Sequence, residues 1–287
     1  MSQLFADCLN EIFEYLENDM VTLHSCLLVN RLWCVVSVRI LWRDTRNYNA
    51  LNFRTLIDCL PTESKEILSM NGINIISKSP MFNYTLFCKV LSINKVNRMI
   101  KKLSKNQQPS SWTYERIVRD EICKMFMNQN SSLKGLIFFE SLNLSMEPRD
   151  YCLEKLKNLK NLSELHCNSR NSPEFFFRLS KTCQNISILE IAVDRIISNG
   201  LTDLISFQKN LKCFIIKQYD KPKDTSSLSL LLEKLPNTLS KLNLSRHNYV
   251  SLSFIANFTN LKELELSFDY FEDFEKLQYA IFPKLQS

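Results

Sequence analysis

Leu239-Ser-Lys-Leu-Asn-Leu244 and Leu261-Lys-Glu-Leu-Glu-Leu266 share one spacing, Leu-x-x-Leu-x-Leu. It recurs upstream with apolar variants at Leu133/Leu136/Phe138, Leu162/Leu165/Cys167, Ile186/Leu189/Ile191 and Leu211/Phe214/Ile216. First positions lie 29, 24, 25, 28 and 22 residues apart, a period that accommodates one strand and one helix. The intervening stretches 151–156, 175–179, 201–207, 228–235 and 252–258 carry helix-spaced apolar residues. In a strand, alternation sends the fourth and sixth residues of each unit inward and their neighbours outward. One such unit cannot bury its apolar face alone, but parallel neighbours stacked on it can. The expected class is therefore α/β with parallel strands plus helices. Each inward Leu or Ile should stabilise the stack by roughly 1.5–3 kcal/mol.

Outward from this array, the other informative stretch is residues 4–43, LFADCLNEIFEYLENDMVTLHSCLLVNRLWCVVSVRILWR. Leu9, Ile12, Phe13 and Leu16 fall at i, i+3, i+4 and i+7, which puts them on one helical stripe with Asp7 suited to the N-cap. A second run from Met20 carries Leu23, Leu27 and Leu28. Asn30 then offers a cap to a third run with Leu32, Trp33, Val36, Ile40 and Leu41. Three helices this short leave much apolar surface uncovered, so the following chain or a partner must cover it.

These residues resemble an F-box. That family reads Leu-Pro-x-Glu, two aliphatics, x-x-Ile-Phe-x-x-Leu, later Val-Cys-x-x-Trp and finally Leu-Trp. This chain supplies Leu4, Asp7, Leu9, Ile12, Phe13, Leu16, Val29, Trp33, Leu41 and Trp42 in order, with Phe5 in place of proline, Cys8 in place of an aliphatic and Asn30 where Cys is common. The Leu-x-x-Leu-x-Leu units resemble leucine-rich repeats, although the ninth position, usually Asn or Cys, is Ser141, Arg170, Asp194, Tyr219, His247 or Asp269. The resemblance thus implies a three-helix F-box at 1–44, a helical connector with irregular leading repeats at 45–130, and an irregular leucine-rich-repeat solenoid at 131–287. A generic α/β domain with parallel strands is the alternative.

Proteins that combine these two parts resemble substrate receptors of Skp/cullin/F-box ubiquitin ligases. The resemblance implies that Leu4, Phe5, Leu9, Ile12, Val29 and Trp33 face the Skp adaptor and, through it, cullin. A protein target bound for proteasomal degradation would lie on the outward strand positions His166, Asn168, Glu190, Lys217, Gln218, Asn243, Arg246, Glu265 and Phe268. A scaffold that binds a partner without ligase activity, or a generic repeat binding protein, is the other reading.

Hydrophobic residues make up 45% of the 287-residue chain and charged residues 23%, an ordinary water-soluble balance. Segment 35–42 is apolar but broken by Ser37 and Arg39, and residues 1–20 carry acids where a signal peptide carries bases. The expectation is a protein inside the cell, in cytoplasm or nucleus, with no membrane partner. Ten cysteines without a CxxC pair suit reduced packing residues. Three glycines are too few and scattered for a phosphate-cradling loop. His166 and Cys167 are adjacent, but strand alternation separates their side chains. No cofactor, metal or catalytic constellation is expected, and binding is the expected role.

The net charge of +6 gathers partly on Lys95, Arg98, Lys101, Lys102 and Lys105, one helical face opposite Val96, Ile100 and Leu103. No aromatic interleaving accompanies it, so nucleic acid is not an expected partner. Helices are also expected over 45–60, 62–70 with Gly72 as stop, 95–105 and from Thr113, with strand pieces at 73–76 and 90–93. At the far end, 282–287 read as the opening of a seventh strand, Leu285 lying 24 positions after Leu261. No capping unit follows it, which implies a shortened array or an end covered by self-association or a partner, with the last repeat fraying first.

Overall fold

The computed structural model describes residues 5–73, 78–104, 111–130, 132–139, 159–193, 197–218, 225–245, 252–267 and 274–286. The chain is α/β and divides into two compact units, Met1–Leu133 and Lys134–Ser287.

The first unit opens with helices α1 (Ala6–Glu14), α2 (Met20–Cys26) and α3 (Arg31–Leu41). Phe5, not Asp7, occupies the N-cap of α1, and no side chain caps that end; Asp7 sits in the first turn, where its charge suits the helix dipole. The other two starts are capped by side chains. Asp19 accepts from the Thr22 amide and Asn30 from the Trp33 amide, at 3.0 and 2.9 Å. Leu9 and Phe13 are buried, whereas Ile12 points out, so the stripe on α1 is narrower than its spacing suggests.

The core does not stop at residue 44. Trp42 meets Tyr48 edge-on and Tyr84 at a tilt, with centroids 4.8 and 4.2 Å away, and the Tyr48 hydroxyl donates to the Trp42 carbonyl at 2.9 Å. A 3-10 turn (Thr45–Asn47) and helix α4 (Ala50–Asp58) take the place of one continuous helix over 45–60. Helix α5 (Thr62–Met70) ends as expected at Gly72, whose φ is 74°. The Gly72 amide donates to Ser69 and the Ile73 amide to Leu68, a left-handed cap that satisfies two terminal carbonyls and buries Ile73 and Leu68 together. Strand β1 (Val90–Ser92), α6 (Ile93–Ser104) and α7 (Ser111–Gln129) complete the unit. Most of the expected strand at 73–76 lies outside the described residues.

The second unit is a parallel sheet in chain order: β2 (Gly135–Phe138), β3 (Glu164–Asn168), β4 (Ile188–Val193), β5 (Cys213–Gln218), β6 (Lys241–Ser245) and β7 (Glu263–Ser267). Helices α8 (Pro173–Thr182), α9 (Asn199–Ser206) and α10 (Thr225–Glu233) connect strands, while 252–257 forms a 3-10 helix in place of the expected α-helix. The register stacks like on like. Leu136, Leu165, Leu189, Phe214, Leu242 and Leu264 form one column, and Phe138, Cys167, Ile191, Ile216, Leu244 and Leu266 the next. All are buried except Leu264 and Leu266, which are half-buried.

Two further ladders bind successive turns. Just before each strand, the amides of Ser163, Ser187, Lys212, Ser240 and Lys262 donate to the carbonyls of Lys134, Ser163, Ser187, Lys212 and Ser240. Gln286 continues the series by donating to Lys262 at 2.8 Å, although Leu285 remains 43% exposed where Leu261 is fully buried. An asparagine column also exists, one residue before the first apolar position or close to it. The Asn210 carboxamide donates to Asn185 Oδ1 at 3.0 Å, Asn260 to the Asn237 carbonyl at 2.9 Å, and Lys284 Nζ to Asn260 Oδ1 at 2.6 Å. Helix packing is tight at one place, where a Cβ on Gly200 would lie 2.3 Å from the Pro173 carbonyl oxygen. Glycine is what lets α9 approach the start of α8.

Candidate interaction surfaces

On the first unit, Phe5, Ile12, Tyr15, Val21, Leu28 and Val29 are all exposed large apolar side chains within residues 5–29. Single exposed apolar residues are ordinary, but six in so short a stretch concentrate binding potential. The residues expected to face an adaptor divide three ways. Phe5, Ile12 and Val29 are exposed; Trp33 is half-buried and packs edge-on against Phe13 at 5.1 Å. Leu9 is 1% exposed, so it is a core residue and not a surface one, because it lies on the side of α1 that carries Phe13. Leu4 lies outside the described residues.

Beneath this surface the chain is braced by contacts that spacing did not reveal. The Arg43 guanidinium grips Glu14 bidentately and reaches Glu17 at 3.8 Å. The hydrogen bond from Arg43 holds the Glu14 carboxyl below its usual range despite some burial. The Arg43 carbonyl accepts from the Lys89 and Val90 amides, so one residue ties α1 to the start of β1.

On the second unit, the outward strand positions form rows. One runs Ile137, His166, Glu190, Ile215, Asn243 and Glu265; its neighbours run Glu164, Ile188, Cys213, Lys241, Glu263 and Asn168, Ala192, Lys217, Ser245, Ser267. His166, Glu190, Asn243 and Glu265, expected on separate strands of one face, thus stand in a single row, with Asn168 and Lys217 in the next. Gln218 is not with them. It is 3% exposed and on the inner face, since consecutive strand residues point opposite ways and Lys217 already points out. Arg246 and Phe268 lie outside the described residues. Glu164, Lys241 and Glu263 were missed, although they hold the third position of their units and alternation places them outward.

A charged network spans β3, β4 and β5. His166 Nδ1 meets Glu190 Oε2 and Nε2 meets Glu164 Oε1, both at 2.7 Å, and Lys217 Nζ meets the other Glu190 oxygen at 2.7 Å. With a carboxylate at each nitrogen, the imidazole is the doubly protonated cation. Burial works against that charge, but the hydrogen bonds to Glu164 and Glu190 outweigh it and hold the His166 pKa up at about 9. Burial likewise opposes ionisation of Glu190, and donation from His166 and Lys217 overcomes it and lowers its pKa. Glu190 is consequently 8% exposed, a buried charge compensated on both oxygens. Phe139 places its ring edge-on to His166 at 6.1 Å. Further along, Lys241 pairs with Glu263, and the Asn243 carboxamide donates to Glu265. Cys167, next to His166, is fully buried on the opposite face, so the two cannot act together.

Among the described residues, no group of three His, Cys, Asp or Glu side chains could hold a metal ion, and no helix is long and apolar enough to cross a membrane. No protein-family model matches the chain, and no curated protein matches it.

Proposed function

We propose that the chain is the non-catalytic substrate-recognition subunit of a Skp/cullin/F-box ubiquitin ligase, with residues 1–44 as an F-box and the second unit as an irregular leucine-rich-repeat array. Phe5, Ile12 and Val29 would bury their apolar side chains against the Skp adaptor, with Trp33 behind them. The observation that carries this reading is their exposure on a three-helix N-terminus whose own core, Leu9 and Phe13 included, is already filled. Large apolar groups held in solvent by a completed core are the usual anchors of an interface. The target would rest on the outward rows, where His166, Asn168, Glu190, Lys217, Asn243 and Glu265 mix acid, base and neutral groups on rigid strands. Such mixed polarity suits a protein surface better than a polyanion. Ubiquitin transfer itself would fall to other subunits, and the protein would work inside the cell where they reside.

Affinity purification of the tagged full chain from cells, read by mass spectrometry, tests this reading. Recovery of the Skp adaptor together with a cullin is the expected result. Recovery of the adaptor without cullin would favour a scaffold, and recovery of neither would remove the F-box assignment.

A further inference from the structure

The outer face of α6 belongs to neither surface above. On this twelve-residue helix, Val96, Met99, Ile100 and Ser104 are buried, and the cations Lys95, Arg98, Lys101 and Lys102 fall within roughly a third of the circumference on the opposite side. Arg98, Lys101 and Lys102 are exposed, and among the described residues none of the three stands in an ion pair. Lys95 Nζ is held by the Arg46 carbonyl at 2.9 Å, which fixes one end of the stripe. Several other cations stand beside carboxylates, as Arg43 does with Glu14, Lys124 with Glu121, Lys217 with Glu190 and Lys241 with Glu263. On α6 like charges face one another uncompensated. Burial depresses the Lys95 pKa, and Arg98 and Lys102 depress it further, so these cations share one field.

We propose that this stripe docks an acidic protein segment. An occupant rich in carboxylates relieves the mutual repulsion and gains a charge-assisted contact to each of Arg98, Lys101 and Lys102. The alternative polyanion, single-stranded nucleic acid, needs aromatic platforms for its bases, and the exposed side chains of α6 include none. The inference does not depend on the ubiquitin-ligase reading, because it concerns a different face of the first unit.

Fluorescence anisotropy of the full chain with a fluorescein-labelled peptide of about ten residues, mostly glutamate, tests it. Binding should weaken at least about tenfold when Arg98→Glu and Lys102→Glu are combined, and again between about 50 and 200 mM salt. Arg98→Gln with Lys102→Gln should give a smaller loss in the same direction, with circular dichroism unchanged. Lys209→Glu, on the second unit, should leave binding as it is. Equal binding by wild type and both α6 variants, or no binding at low salt, would overturn the proposal. Tighter binding of an oligothymidylate of equal charge than of the peptide would overturn it in favour of nucleic acid.

Discussion

Asn130 and Gln208 are buried carboxamides of the same chemistry in units of different construction. Asn130 donates to the Thr85 and Cys88 carbonyls at 2.7 Å and accepts from the Ser132 amide and hydroxyl. Gln208 donates to the Cys183 and Leu204 carbonyls at 2.8 and 2.9 Å and accepts from the Ile186 amide at 2.9 Å. The partners of Gln208 lie on the helix that precedes it and one repeat back; those of Asn130 lie more than forty residues upstream, except Ser132. The second unit therefore fastens each turn to the previous one, and the first fastens distant segments once. A periodic unit spreads its stability over equivalent contacts, whereas an aperiodic one concentrates it in single residues.

The sharpest way to break the comparison is a charge in the stack. Leu189→Lys replaces a fully buried member of the leucine column and should cost more than about 4 kcal/mol, through lost burial plus an unpaired buried ammonium. Chemical denaturation followed by circular dichroism should show that loss, and Val29→Lys, at an exposed position, should change the midpoint little. A Leu189→Lys protein with the wild-type midpoint would mean that the column is not the core.

The carboxamides come next. Asn130→Ala and Gln208→Ala should each cost about 1–3 kcal/mol, because each strands buried carbonyls or an amide without a partner. Trp33, Trp42 and Trp112 all lie in the first unit, so their emission reports that unit. It should register Asn130→Ala through a lower midpoint, whereas backbone dichroism registers both variants.

The repeats were legible because a period-two burial pattern at regular intervals leaves a local mark. The register shows which residues stack, with His166, Glu190, Asn243 and Glu265 in one row. Gln218 was misread by counting it and Lys217 on the same face, which alternation forbids. The asparagine column was sought at the ninth position and found just before the units that start at Ile186, Leu211, Leu239 and Leu261, where spacing alone carries no hydrogen-bond information. Asn130, Gln208 and the Arg43 clasp on Glu14 stayed hidden for a shared reason: each is defined by partners distant in sequence, and no local periodicity encodes them. On α1 the helical stripe included Ile12 among inward residues, but the core is filled by Leu9 and Phe13 and leaves Ile12 outside.

A smaller effect separates the units by pH. The His166 pKa is raised to about 9 from an ordinary 6.5, so its stabilising contribution is fully present below the unfolded value and is lost as pH rises through the folded one. Between pH 6.5 and 9.5 the second unit should lose stability progressively as the imidazolium deprotonates and its charge-assisted hydrogen bonds weaken. His166→Gln should flatten that slope while leaving tryptophan-reported unfolding of the first unit unchanged. An identical slope in the variant would show that the network does not titrate as a unit.

The proposed function requires that the first unit present the adaptor surface and the second none of it. Calorimetric titration of the purified Skp adaptor into the full chain measures this directly. Ile12→Lys combined with Val29→Lys should weaken binding by about a hundredfold or more, since on the proposed reading it would place charges within an apolar contact. Glu265→Lys, on the outward row of the second unit, should leave affinity unchanged. Wild-type affinity in the Ile12/Val29 variant, with dichroism intact, would contradict the account.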